Sequence, residues 1–198
     1  KNAPQPFKET DILSGKVEPT NEGYAIAKIL GSKLVDLYNK QYGTNYITII
    51  PAASYGPEDC YDKTKSHVIP ALIEKVYKAK KSLNENINVW GTGKSLREFI
   101  HVDDMAAGII FILENYTLNE PINLGVGNEI SIKELVNMIT DIAEYNGQVI
   151  FDKSKPDGMV RKILDNTKIQ KLGWTPTIEL KQGLKEIYHS YLKTMENN

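Results

Sequence analysis

Three times in this chain a lysine follows a tyrosine by four residues: Tyr24 with Lys28, Tyr61 with Lys65 and Tyr77 with Lys81. On a helix, residues i and i+4 share a face, so an ammonium at the second position lies beside the phenol and favours its phenolate form. A phenol supported in this way can trade a proton with a substrate hydroxyl or carbonyl, which is the proton half of an oxidation or reduction. Context separates the three pairs. Tyr77 lies in a lysine-rich helix end that reads as a solvated surface, and Tyr61 lies in a polar stretch without helical periodicity. Tyr24 is flanked by Ala25 and Ala27, small residues that let a flat cofactor approach the helix. The plain alternative for Tyr24 is a partly buried tyrosine packed by a lysine stem.

Other side chains invite a chemical reading. His67 opens a helical pattern, where its imidazole is either a general acid in a pocket or a helix cap. Trp90, Arg97, Lys155 and Arg161 could stack on a base or grip phosphate, or be ordinary surface residues. Arg97 and Arg161 are the only arginines. Gly91-Thr92-Gly93 lacks the rest of a GxGxxG fingerprint and reads as a turn. His101, before Val102-Asp103-Asp104, reads as structural, with the acidic pair complementing the dipole of a helix start. Cys60 stands among Glu58, Asp59 and Asp62, a setting that disfavours a thiolate.

The elements that must position these groups alternate in type. A proline-bearing irregular segment ends at Pro19-Thr20, a plausible cap. Ile26, Ile29, Leu30, Leu34, Leu37 and Tyr38 recur at helical spacing from about residue 21 to 42, closed by Gly43. Ile47 to Pro51 is a short buried-type strand, followed by a polar loop from Tyr55-Gly56-Pro57. Val68, Leu72, Ile73 and Val76 pattern a helix ending in Lys78 to Lys81, and Ile87 to Trp90 a strand. Arg97 to Val102 reads as extended, Asp103 to about Asn115 as a helix and Ile122 to Leu124 as a strand. Ser131 with Glu134 forms a capping box for a helix reaching Tyr145. Val149 to Asp152, a loop through Gly158, a short helix near Thr167 to Leu172 and an amphipathic helix from Glu179 complete the chain. Strands alternating with helices predict an α/β architecture with a parallel sheet.

Composition narrows the class. Of 198 residues, 41% are hydrophobic and 25% charged, the profile of a globular protein able to fill one core. Lys plus Arg number 24 against 25 Asp plus Glu, so no basic field points to nucleic acid. The longest apolar run, Met105 to Leu113, is too short for a membrane span. A single cysteine offers no disulfide framework and no thiolate metal site; no metal is expected, and a reducing cytoplasm is the expected home. Lys1-Asn2-Ala3-Pro4-Gln5-Pro6 reads as a loop entered in mid-course, so a longer parent protein is expected.

Taken in order, several blocks carry a resemblance: Tyr24-Ala25-Ile26-Ala27-Lys28, Tyr55-Gly56-Pro57, Ser66-His67-Val68-Ile69-Pro70, Trp90-Gly91-Thr92-Gly93, Arg97-Glu98-Phe99-Ile100-His101-Val102-Asp103-Asp104, Ser154-Lys155-Pro156-Asp157-Gly158 and Leu172-Gly173-Trp174. Together they resemble the extended short-chain dehydrogenases acting on nucleotide sugars, and within them the GDP-L-fucose synthase family. That resemblance implies the C-terminal part of an NAD(P)-binding Rossmann fold. Residues 1–55 and 99–125 would form its remainder, interleaved with a small α/β nucleotide-sugar domain of residues 56–98 and 126–198. It implies an NADPH-dependent epimerase/reductase converting a GDP-4-keto-6-deoxy-hexose to a GDP-deoxy sugar, acting in the cytoplasm as a homodimer. The roles it implies are Tyr24 as proton donor, Lys28 as holder of the nicotinamide ribose, and His67 as the acid of C3 and C5 epimerisation. Pro51, Ala53 and His67 would line the cofactor, and Lys75, Trp90, Arg97 and Lys155 the substrate.

Departures bear on the sugar. In the family pattern the glycine fingerprint, the catalytic Ser or Thr and the cysteine that partners the histidine all lie upstream of Lys1. Cys60 is not that cysteine, because it falls between the Tyr-Gly-Pro and Ser-His-Val blocks. Gly23 replaces a usual proline, and Ala52-Ala53-Ser54 replaces a Thr-Asn-Leu segment beside the reacting sugar. A C4 reductase without epimerase activity, acting on another GDP-4-keto sugar such as a heptose, fits as well. From a different class, a non-catalytic sugar-nucleotide-binding or dimerising fragment remains open.

Overall fold

The computed structural model describes residues 3–62, 65–83 and 85–196; Lys1 and Asn2 of the expected N-terminal loop lie outside that range. A 3-10 turn at Pro19–Asn21 leads into α1 (Glu22–Tyr42), then β1 (Ile49–Pro51), β2 (Ala53–Tyr55), α2 (Val68–Lys81), β3 (Ile87–Trp90), β4 (Leu96–Arg97) and β5 (Phe99–His101). There follow α3 (Val102–Asn115), β6 (Ile122–Leu124), β7 (Ile130–Ser131), α4 (Ile132–Ile142), β8 (Val149–Asp152), β9 (Arg161–Lys162), α5 (Thr167–Lys171) and α6 (Leu180–Glu196). None of the described helices is long and apolar enough to cross a membrane.

The expected parallel pairing is present. β1 lies parallel to β6, β2 to β5 and β3 to β8, with the Ala52 N–H donating to the Leu124 carbonyl at the join between β1 and β2. The run 49–55 therefore serves two partners in turn. Parallel neighbours need crossover connections, and α2, α3 and α4 occupy them. A separate small sheet sets β4 between antiparallel β7 and parallel β9.

Two apolar clusters hold these elements. One joins α2, α4 and α6 through Ile73, Val76, Leu135, Val136 and Leu184. The other packs Ile100, Ile112, Ile122, Leu124, Ile169 and Trp174 around β5, β6 and α3. The Ser131–Glu134 capping box forms as expected, Ser131 Oγ accepting from the Glu134 N–H at 3.1 Å and the Glu134 carboxylate from the Ser131 N–H at 2.9 Å.

The structure corrects several expectations. Thr20 does not cap α1, because the 3-10 turn places Asn21 at that position and no side chain caps it. The stretch from Arg97 to Val102 is not one extended piece: it breaks at Glu98, and Val102 already belongs to α3. α4 ends at Ile142, short of Tyr145, because Glu144 adopts φ +50° and turns the chain. β7 and β9, two residues each, are too short to show a period. The largest difference is α1: its apolar residues Ile26, Leu30, Leu34, Leu37 and Tyr38 are exposed. Its helical period reads correctly from sequence, but the stripe has no cover among the described residues.

Candidate functional site

The loop after β8 organises one end of the molecule. Its Asp157 carboxylate accepts from the Thr92 N–H at 2.5 Å and from Thr92 Oγ1 at 2.8 Å, and Ser95 Oγ donates to the Asp157 carbonyl at 3.0 Å. The Thr92 N–H holds this carboxyl below the usual range. Ser154 is fixed in turn by its hydroxyl donating to Asp152 Oδ1 at 2.6 Å. The loop so tethered carries Lys155 over the ring of exposed Trp90, 5.8 Å from its centroid. An indole and an ammonium presented together suit a flat base and an anion.

Beside this loop the three-stranded sheet assembles a cation pair. β4 and β9 run parallel with Arg97 opposite Lys162, so the two side chains leave the sheet on one face. Arg97 is half-buried and Nη1 donates to the Leu96 carbonyl at 2.8 Å. Burial holds its guanidinium below its ordinary value, which nearby Asp157 partly offsets. Burial first, and then the charge of Arg97, hold Lys162 below the ordinary lysine value, although its side chain still reaches solvent and the repulsion is correspondingly screened. Among the described residues neither cation is in an ion pair. Arg161, on the opposite face, donates through Nε to Glu129 at 2.7 Å, so a carboxylate already pairs its charge.

A cavity of about 530 Å³ next to β3 is lined by Lys75, Trp90, Ser66 and Asn88 among others, and Lys75 Nζ donates to the Asn88 carbonyl at 3.1 Å. His67 is the exposed residue that precedes α2; its carbonyl accepts from the Ala71 N–H at 3.0 Å, and its imidazole makes no cap bond. Pro51 and Ala53 are exposed where β1 ends and β2 begins. On α1, Lys28 Nζ stands 5.5 Å from the centroid of the exposed Tyr24 ring.

The other two Tyr–Lys pairs belong to packing. Tyr61 is not on a helix, and its ring lies 4.2 Å from that of Tyr191. Burial pushes its phenol up to about 12, the wrong direction for a proton shuttle. Tyr77 does carry Lys81 over its ring at 5.0 Å, but it is half-buried with its edge against Tyr191, not the solvated surface residue that the lysines suggest.

The structure thus brings Trp90, Arg97 and Lys155 around one loop and Lys75 and Trp90 around one cavity. Among the described residues no hydrogen bond, ion pair or ring contact joins Tyr24, Lys28 or His67 to that group. Sequence reasoning missed Lys162. The available signal was a basic pair, Arg161-Lys162, bracketed by Met159-Val160 and Ile163-Leu164, but which of its members faces Arg97 is a matter of strand register.

Known proteins resemble this chain along most of its length. Residues 1–125 match the NAD dependent epimerase/dehydratase family. Over 195 residues the chain is 46% identical to the probable GDP-L-fucose synthase 1 of Oryza sativa subsp. japonica, covering 98% of this chain and 60% of that protein. The NADP-bound GDP-L-fucose synthetase of Naegleria fowleri superposes with a TM-score of 0.92 at 30% identity, covering 98% of this chain and 63% of that one. A GDP-6-OMe-4-keto-L-xylo-heptose reductase from C. jejuni superposes at 0.87 with 34% identity, covering 98% and 67%. The chain spans about 60% of the length of the rice relative. With more than half of its residues matched by the family model and its parallel pairs connected by helices, this chain belongs to the NAD dependent epimerase/dehydratase family.

Proposed function

We propose that the parent protein is an NADPH-dependent epimerase/reductase of a GDP-4-keto-6-deoxy-hexose, of the GDP-L-fucose synthase type, and that this chain carries its substrate-binding half and its proton donor. The observation that carries this reading is the half-buried Arg97 beside Lys162, two cations that are in no ion pair among the described residues and have only Asp157 nearby to offset Arg97, next to the Trp90–Lys155 stack. Such a pair suits a diphosphate between a base and a sugar. The relatives named above act on GDP-linked sugars, which agrees with that ligand.

Tyr24 and Lys28 stand exposed on α1, and Pro51 lies at the carboxyl end of a parallel strand, the edge at which open α/β sheets take their ligands. These residues, with Ala53 and His67, fit the nicotinamide-ribose half of NADPH. When bound, the nicotinamide supplies hydride to C4 of the keto sugar. Tyr24 gives its phenolic proton to the oxygen that becomes the C4 hydroxyl, and Lys28, on the same helix face, keeps positive charge beside the phenolate left behind. In the epimerisation at C3 and C5 a base removes the proton that the 4-keto group acidifies, and His67 returns a proton to the opposite face of the resulting enolate. Lys75, Trp90, Arg97, Lys155 and Lys162 hold the nucleoside diphosphate and leave the sugar to face α1.

Residues 1–55 with 99–125, and 56–98 with 126–198, are proposed as the two domains. The two apolar clusters follow this division in part: Leu164, Ile169 and Trp174 cross to pack against β5, β6 and α3, and Tyr55 and Phe99 cross the other way. The uncovered stripe of α1 supports a homodimer, and the parent protein is placed in the cytoplasm. A second reading, C4 reduction without epimerisation on another GDP-4-keto sugar such as a heptose, is favoured by Ala52-Ala53-Ser54, where Ala53 and Ser54 present small exposed side chains.

Full-length Tyr24→Phe tests the assignment. It should retain GDP-sugar binding and lose NADPH-dependent reduction of the keto sugar; unimpaired reduction would remove Tyr24 from the chemistry.

A further inference from the structure

Between Arg97 and β5 stands Glu98, 3% exposed, the most deeply buried carboxylate of the chain's described residues. It meets no cation. Oε2 accepts from the Leu164 N–H at 2.8 Å. Oε1 accepts from the Val126 N–H at 2.7 Å, the Gly127 N–H at 2.8 Å and Asn166 Nδ2 at 3.1 Å. Four donors converge on its two oxygens, three on Oε1 and one on Oε2, and the single carbonyl oxygen of a glutamine could not accept at both places.

The location gives that arrangement a purpose. β4 and β9 share only two residue pairs, Leu96 with Arg161 and Arg97 with Lys162, a short ladder for holding two like charges side by side. Glu98 follows the ladder directly on β4, and Leu164, whose N–H the Glu98 carboxylate takes, lies two residues beyond it on β9, past Ile163. The side chain thus continues the pairing where the backbone ladder stops. Through Oε1 the same carboxylate anchors the turn after β6, at the carboxyl end of the β1–β6 pair. That approach requires a residue without a side chain at position 125, since a Cβ on Gly125 would come within 2.4 Å of Glu98 Oε1.

We infer that Glu98 is a positioning residue: its buried carboxylate pins β9 to β4, sets Lys162 beside Arg97, and so determines the geometry with which the cation pair receives a diphosphate. The inference rests on the proposed diphosphate site. Glu98 touches no ligand itself and acts through Lys162. Replacing it with Gln preserves volume but turns one acceptor into an NH2 facing N–H donors, so one side of the pin must let go.

The test is calorimetric titration of the full-length protein with GDP, well below its unfolding temperature. Glu98→Gln should weaken GDP binding at least tenfold, whereas in a Lys162→Met background the same change should weaken it less than threefold, because the group it positions is gone. Glu98→Asp should recover part of the affinity. Gly125→Ala, which pushes on the carboxylate without altering its charge, should weaken binding in the same direction and keeps the test decisive if Glu98→Gln does not fold. Unchanged affinity in folded Glu98→Gln or Gly125→Ala, or full additivity with Lys162→Met, would show Glu98 to be purely structural and overturn the inference. A different failure, GDP binding that is absent in the wild type or indifferent to Arg97 and Lys162, would instead remove the diphosphate site.

Discussion

Replacing Lys162 with Met should move stability and binding in opposite directions. Side chains leaving adjacent strands in register start about 5 Å apart. Two unit charges near 6 Å repel by about 3 kcal/mol at an effective dielectric of ~20. Lys162 reaches solvent, so the repulsion realised in the free chain is nearer 1 kcal/mol. Removing one charge while keeping the stem should therefore raise the unfolding midpoint by about 2–4 °C at low salt. The gain should shrink toward zero at 1 M NaCl, where the screening length is about 3 Å. Binding should do the reverse: losing a charge-assisted contact to diphosphate costs about 1.5–3 kcal/mol, or roughly 10- to 150-fold in the GDP dissociation constant. The pH dependence has a definite sign. The folded chain holds Lys162 below the ordinary value of 10.5, so the unfolded chain binds that proton more tightly and the wild type gains stability as pH rises through the folded value. The advantage of the variant should be present at neutral pH and close as pH climbs past the unfolded value. Thermal scans and titration calorimetry read both effects. A variant that is less stable and binds GDP unchanged would refute the view of this pair as a strained anion site.

Other substitutions separate the remaining roles. Full-length His67→Asn should reduce its keto sugar normally but fail to exchange solvent deuterium into C3 and C5, as followed by mass spectrometry; undiminished exchange would exclude the imidazole. Leu30→Asp with Leu34→Asp should leave the thermal midpoint within a few degrees, since both side chains are already exposed, and should abolish any dimer seen by sedimentation, whereas loss of the fold would mean that α1 packs elsewhere in this chain. Ser131→Ala removes the reciprocal cap of α4 and should cost about 1 kcal/mol in denaturant unfolding; an unchanged midpoint would mean that water caps the helix equally well.

Legibility in the sequence followed the range of the interactions involved. α2 was readable from Leu72, Ile73 and Val76, and α4 from its capping box, because helical spacing and capping are set within a few residues. The turn at Gly91-Thr92-Gly93 and the strands β1, β3 and β8 were readable for the same local reason. The family blocks singled out Trp90, Arg97 and Lys155 for one ligand, and the structure gathers them at one loop.

Pairing across the chain was not readable. Arg161 and Lys162 are chemically equivalent neighbours in the sequence, yet strand alternation sends one to Glu129 and the other beside Arg97, a choice made by a register spanning more than sixty residues. Three Tyr–Lys pairs had identical spacing, and only tertiary packing separated them by folding Tyr61 and Tyr77 against Tyr191 while leaving Tyr24 in the open. Glu98 follows an arginine in the sequence, and only the fold surrounds it with Leu164, Val126, Gly127 and Asn166. By itself, then, the sequence determined the local periods, the caps and the residue types available for chemistry. Which groups meet, and which cations remain without a partner, was decided by strand register and burial, because both depend on segments far apart along the chain.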